Sequence, residues 1–251
     1  MEPENLAAYA DRLLDAQAFQ DYAPNGMQVR GRRPVRRLVS GVTACQALLD
    51  EAVRLDADAV LVHHGYFWKG ESPCINGMKA ERLRTLLTND MSLFAYHLPL
   101  DAHAELGNNA CLAGDLDLTV TGTFETGTYR PLGMLGAPRE PLPLDAFAER
   151  VAAALGRQPT VVAGGDHPVR RVAWCSGGAQ GFIDHVATLG VDLYFSGEIS
   201  EPTVHTAREC GLHYLAAGHH ATERGGARAL GEHLAARFDL EHHFIDIDSP
   251  A

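Results

Sequence analysis

"CQALLDEAVRLDADAVLVHHG", Cys45 to Gly65, and "AQGFIDHVATLGVDLYFSGEI", Ala179 to Ile199, decide the fold when laid one over the other. In that register Gln46 meets Gln180, Asp50 meets Asp184, Leu55 meets Leu189 and Asp58 meets Asp192, each pair 134 residues apart. Each copy reads as a helix leading into a strand, the continuous apolar run "ADAVLV" in the first and "VDLYFSGE" in the second. Continuous apolar runs of this length suit strands covered on both faces in a parallel sheet. Further along, "FAYHLPLDA" lies over "LAAGHHATE", so that His97 meets His219 and Asp101 meets Glu223, each 122 apart. The change of offset falls in the first copy's longer loop, "GYFWKGESPCINGM". Two α/β units sharing a core pattern would look faintly alike by chance. The pairing of ligand-type residues favours internal duplication.

Outward from this repeat, strands and helices alternate with short links, the pattern of an α/β protein with parallel pairing. "MEPENLAAYADRLLD" reads as an amphipathic helix, and "DYAPNGMQVRG" as a turn-rich segment. "RRLVSGV", "ADAVLV" and "MSLFAYH" read as strands of the first half, with "TACQALLDEAVRLD", "KAERLRTLLTND" and "AELGNNACLAGDL" as its helices. "RRVAWCSG", "VDLYFSGE", "LHYLAAG" and "EHHFIDI" are the strands expected of the second half, and "AQGFIDHVATLG", "TVHTARECG" and "ATERGGARALGEHLAARF" its helices. The Thr- and Gly-rich stretch between them reads as short strands, turns and one helix, "LDAFAERVAAALG". The expected organisation is therefore a first α/β half over 1–116, a bridging segment over 117–168 and a second half over 169–251, the halves sharing one compact unit.

Composition narrows the function classes. The 251 residues suffice for a sizeable core, and 46% hydrophobic with 21% charged residues is ordinary for a globular protein. A formal net charge of −11 argues against general nucleic-acid binding. "RGRRPVRR", Arg30 to Arg37, is the one dense cationic stretch, and such runs are ordinarily solvated. Five scattered cysteines without a C-x-x-C suit reduced thiols. The first helix lacks the basic and apolar regions of a signal peptide, and no apolar run approaches membrane-spanning length. The location expected on these grounds is the cytoplasm.

Four ligand-rich places remain: His63-His64, His97 with Asp101, His219-His220 with Glu223, and Gly197-Glu198, the second half's counterpart of the histidine pair. Strand carboxyl ends are where open α/β sheets gather their sites. His219 and Glu223 share a helical face if the turn there is helical. Three imidazoles and two carboxylates suffice for two divalent ions, with Zn²⁺, Fe²⁺, Mn²⁺ and Ni²⁺ all suited. Against this, most of the 13 histidines are ordinary polar residues, and adjacent histidines also end strands without binding anything. No G-x-S-x-G, Walker A or Rossmann glycine motif is present. Tyr66, Phe67 and Trp68 offer rings to stack a base and Lys69 a charge for a phosphate, or equally a loop for a subunit contact.

On these residues the chain resembles the Nif-three-like family, whose members are named GTP cyclohydrolase I type 2 homologues. The resemblance is carried by "DYAPNGMQV", "GVTACQALLDEAV", "DAVLVHHGYFWKG", "YHLPLDAHAELGNN", "GEISEPTVHTARE" and "AGHHATERGGARAL", and is closest to the short bacterial members. It implies the Nif-three-like fold and a dinuclear metal centre with His63, His64, Asp101, His219 and Glu223 as ligands, Glu223 bridging. His97 matches the histidine before the family's aspartate and is implied as a catalytic residue, a support for the ligands or itself a ligand. The resemblance also implies a toroidal homohexamer and a metal-dependent hydrolase acting on a nucleotide or related small molecule, in the manner of a GTP cyclohydrolase. Two other classes stand beside that reading, a metal-delivery protein and a regulatory protein whose metals serve structure.

Overall fold

The computed structural model describes all 251 residues. The chain forms two compact units, one of Met1–Gly107 with Arg224–Asp248, the other of Asn108–Glu223 with Ser249–Ala251. The first holds α1 (Pro3–Leu14), β1 (Gly26–Val29), β2 (Arg37–Thr43), α2 (Gln46–Arg54), β3 (Ala59–His64), α3 (Gly77–Thr88), β4 (Ser92–Ala95) and α4 (Leu98–Asp101). The second holds α5 (Asn108–Asp115), β5 (Leu118–Phe124), β6 (Gly133–Pro138), α6 (Leu144–Leu155), β7 (Thr160–Val162), β8 (Val172–Trp174), α7 (Ile183–Val186), β9 (Leu193–Ser196), α8 (Glu201–Glu209), β10 (His213–Ala216) and α9 (His219–Thr222). The chain then returns to the first unit as α10 (Arg224–Phe238) and β11 (Glu241–Phe244).

The first sheet has the order β1-β4-β3-β2-β11 and the second β5-β6-β8-β9-β10-β7. Three parallel strands form the heart of each, β2-β3-β4 and β8-β9-β10. An antiparallel strand flanks the third member in both, β1 on β4 and β7 on β10. The central strands are buried along almost their whole length, which is why they read as largely apolar runs. Helix α1 buries Leu6, Ala7, Ala10 and Leu14, the three-and-four spacing of an amphipathic helix. The second core centres on Trp174, which stacks on Phe195 at 6.0 Å and donates its indole N–H to the Asn109 carbonyl.

The duplication extends to hydrogen bonds. Asp58 Oδ2 accepts the backbone N–H groups of Arg36 and Arg37 at 2.9 and 3.0 Å. Asp192 Oδ2 accepts those of Arg170 and Arg171, both at 2.8 Å. The guanidinium of Arg37 then reaches the Leu55 carbonyl, and that of Arg171 the Leu189 and Gly190 carbonyls. Every partner keeps the offset of 134 residues seen in the sequence.

Four elements differ from the sequence expectation. "GMQV" inside the turn-rich segment is a strand, because β4 offers it a free edge. The stretch over 117–168 adds β5, β6 and β7 to the second sheet and α6 to its core, and so belongs to that unit. "EHHFIDI" pairs with β2 rather than closing the second half, since Glu241 to Phe244 run in parallel register with Arg37 to Ser40. "AQGFIDHVATLG" shrinks to a 3₁₀ turn, Gln180–Phe182, and the single turn α7, where Gly181 stands in place of its counterpart Ala47 and weakens the helix.

His242 on β11 gives the first unit an acid-sensitive joint. Its Nε2 pairs with Ser40 Oγ at 2.8 Å, and a Cβ at Gly231 would lie 2.2 Å from that nitrogen. Burial, with a smaller push from His243, lowers its pKa from 6.5 to about 4. Above pH 6.5 the ring is neutral folded or unfolded. As pH falls toward 4 only the unfolded chain takes up the proton, so stability drops by at most about 1.4 kcal/mol per pH unit, less the solvent screening at a half-buried ring. Urea midpoints at pH 7.5 and 4.5 should fall further for the wild type than for His242→Gln, and equal falls would remove His242 from the account.

Candidate metal centre

His63 and His64 close β3, and Thr43 N-terminal to α2 lies beside them in the same sheet. His63 is fully buried and donates Nδ1–H to the Tyr96 carbonyl at 3.0 Å, which directs Nε2 away from the strand. Nε2 stands 3.6 Å from Asp101 Oδ1. His64 Nδ1 pairs with the Thr43 hydroxyl at 3.1 Å. His97 follows β4 and begins the turn α4, whose last residue is Asp101. Ligand atoms of His63, His64 and His97 all lie within 4.8 Å of one another. Asp101 is 6% exposed. Four of the residues singled out in the sequence are therefore neighbours within the first unit.

Asp21, which no sequence motif singled out, sets His97. Its Oδ1 accepts from His97 Nδ1 at 2.7 Å, while its Oδ2 takes the Leu98 N–H and the Asn25 side-chain amide, each at 2.9 Å. Burial works against the carboxylate, yet His97, Asn25 and the Leu98 N–H together hold its pKa below the usual range. A charged Asp21 keeps the proton on His97 Nδ1 and leaves Nε2 as the basic atom. Only the chain reversal at "DYAPNG", 76 residues upstream, carried this residue to the strand end.

The second unit mirrors the arrangement on a helix. His219 and Glu223 frame α9, with His219 Nε2 3.2 Å from Glu223 Oε1. His219 Nδ1 donates to Glu198 Oε1 at 2.7 Å, and Glu198 Oε2 takes the Gln180 amide at 3.1 Å. Glu198, at the end of β9, thus acts on His219 as Asp21 acts on His97. Burial opposes the imidazolium of His219, but Glu223 and Glu198 outweigh it and push its pKa up to about 9. A cation binding at Nε2 would have to displace that proton.

The donor set fits divalent transition ions. Imidazole nitrogens and carboxylate oxygens are the ligands such ions take, and the ring nitrogens opposite the bonded Nδ1 atoms are the ones presented. The buried His, Asp and Glu clusters can hold a metal ion.

Other residues singled out in the sequence are accounted for differently. Tyr66 is buried, and its hydroxyl donates to the Ala44 carbonyl. Trp68 stays beside the histidines, its ring 5.0 Å from that of His97 and nearly perpendicular to it. Tyr22 approaches His97 from the other loop at 6.4 Å. In the basic run, Arg30 pairs with Glu4, Arg33 with Asp56 and Asp58, and Arg37 with Glu241, which neutralises most of the charge. No helix is long and apolar enough to cross a membrane.

Comparison with known proteins places this geometry. The chain is 60% identical over 246 residues to the GTP cyclohydrolase 1 type 2 homolog of Pseudomonas aeruginosa, covering 98% of this chain and 97% of that one. It is 56% identical over 252 residues to the Escherichia coli K12 protein of the same name, covering both chains fully. Among solved structures, the protein ybgI, described as of unknown function, matches with a TM-score of 0.96 at 56% identity over the whole of both chains. TTHA1606 from Thermus thermophilus matches with a TM-score of 0.90 at 37% identity, again over the whole of both. Reduced HcgD from Methanocaldococcus jannaschii shares the fold, with a TM-score of 0.82 at 23% identity and coverage of 99% and 98%. The family model described as Duf34/NIF3 (NGG1p interacting factor 3) matches residues 1–250, and the chain belongs to that family.

Proposed function

We propose that the protein is a dinuclear metal-dependent hydrolase of the GTP cyclohydrolase I type 2 kind, acting on a nucleotide or related small molecule. The observation that carries this is the paired design of the two donor sets. His63, His64, Asp101, His219 and Glu223 would be the residues that hold two divalent ions, with Glu223 as the carboxylate serving both. Such ions supply Lewis acidity and a water nucleophile at neutral pH. His63 and His219 are held by their Nδ1 atoms, which would leave Nε2 to hold an ion. His97 is the proton carrier: Asp21 fixes its tautomer, and Nε2 takes the proton from water and returns it to the leaving group. Trp68 and Tyr22 beside His97 favour a flat substrate ring, as the names of the curated relatives also suggest. The site works in a cytoplasmic homohexamer.

A second reading is metal handling without a dedicated substrate, which the exposed edge of His219 and the half-exposed Glu198 favour because ligands near solvent exchange ions readily. Elemental mass spectrometry with a nucleotide panel including GTP separates the two. Two ions per chain and a turnover that chelation abolishes and His97→Gln depresses by about 10²–10⁴-fold support the hydrolase. Two ions with no turnover, and transfer of metal to an apo-acceptor, support the second reading.

A further inference from the structure

The duplicated halves use the same three strand-end positions in opposite ways. In the first unit they carry Thr43, His63 and Tyr96, which pair with or are themselves the histidines of the site. The same positions in the second unit, by the offsets of the repeat, are Gly177, Gly197 and Gly218. These glycines sit side by side at the ends of β8, β9 and β10, joined by Gly197 N–H to the Gly177 carbonyl and Gly218 N–H to the Gly197 carbonyl, both at 2.9 Å. They form a floor without side chains. Thr222 ties α9 down onto it, accepting the Gly177 N–H at 3.0 Å and donating to the Gly218 carbonyl at 2.9 Å.

We propose that Gly177 and Gly197 are positioning residues of the second unit's half of the centre, their missing Cβ atoms being the space in which Glu223 and His219 are seated. A Cβ on Gly177 would lie 2.2 Å from Glu223 Oε1 and 3.2 Å from His219 Nε2. A Cβ on Gly197 would lie 2.6 Å from His219 Cα and 2.9 Å from its backbone nitrogen, neither of which is the end of a flexible side chain. The first half presents His63 and His64 from a strand itself. The second half clears its strand ends so that a helix can lower its ligands onto them. After duplication, His63 and Gly197 therefore diverged in a coupled way: one position became a ligand, the other the room for one.

This rests on the metal reading, so the test keeps the two apart. Zn²⁺ is titrated calorimetrically into metal-free wild type, Gly177→Ala, Glu223→Asp, the double variant, and Gly156→Ala. Gly156 is the backbone control: its φ is +69° against +64° for Gly177, and nothing lies within 4 Å of a Cβ there. Gly177→Ala is expected to weaken Zn²⁺ binding about 10–100-fold, the usual effect of disturbing a ligand's support. Gly156→Ala binds as wild type. The double variant, with a carboxylate one methylene shorter, binds more tightly than Gly177→Ala, and a rescue of folding by the same change counts equally. Metal-free crystal structures show Glu223 displaced in Gly177→Ala alone. Equal weakening at positions 156 and 177, no rescue, or an unmoved Glu223 would overturn the proposal. A wild type that takes up no Zn²⁺ sinks the metal reading, while the metal-free structures still decide the seating.

Discussion

Glu223→Ala is expected to purify with almost no divalent metal, whereas His64→Ala retains about one ion per chain. The asymmetry follows from the role proposed for the carboxylate. A bridging residue serves both ions, and its loss removes a shared anion from a centre whose other ligands are mostly neutral imidazoles. Each ion would then lose a ligand and face the other's charge without the shared carboxylate. On the same proposal His64 would serve one ion, so its loss would leave a second set intact. Removing a ligand outright should exceed the about 10–100-fold loss typical for a residue that only supports one. Glu223 is 3% exposed and follows the short α9 as its C-cap, not in a core cluster, so the variant should keep its circular dichroism spectrum and its cooperative unfolding. Elemental analysis of both variants, grown and purified alike, reads the outcome. Equal residual metal in the two would deny the bridge, and unchanged metal in both would deny the ligand assignment.

Much of this architecture was legible because periodicity and repetition report burial. The runs at β3 and β9 are mostly apolar because both faces are covered, and the offset of 134 residues recurs down to the backbone N–H groups held by Asp58 and Asp192. The places of His63, His64 and His97 at strand ends, with Asp101 one turn beyond, were legible for the same reason. What stayed hidden was set by tertiary contact. Gly26 to Val29 is too short and polar to declare itself a strand and depends on the edge of β4. β11 follows the second half in sequence yet completes the first sheet, which local pattern cannot express. Asp21 looks like an ordinary turn residue until the chain folds back on His97. Glu198 stood out as the counterpart of the histidine pair, but its hold on His219 emerges only in the folded chain. Gly177 and Gly197 are sites defined by absent atoms, for which sequence spacing has no signature.

Asp58→Ala is expected to destabilise the protein by about 2–4 kcal/mol, and Asp192→Ala by less, although the two aspartates do the same job in their halves. Each carboxylate gathers two adjacent backbone N–H groups just before a central strand, and losing it leaves both donors to find water. The difference lies in the surroundings. Asp58 is 9% exposed and also meets Arg33, at 3.4 Å, so its removal leaves a guanidinium without one of its acidic partners. The N–H groups held by Asp192 are nearer solvent, and water replaces the lost acceptor more cheaply. Asn at position 58 keeps one acceptor oxygen and the shape but loses the charge, so Asp58→Asn should recover part of the loss. Urea unfolding of metal-free protein at neutral pH measures all three without interference from ligand binding. A larger effect at Asp192 than at Asp58 would show that burial does not govern these paired contacts, and no effect at either would reduce the shared hydrogen bonds to a relic of duplication.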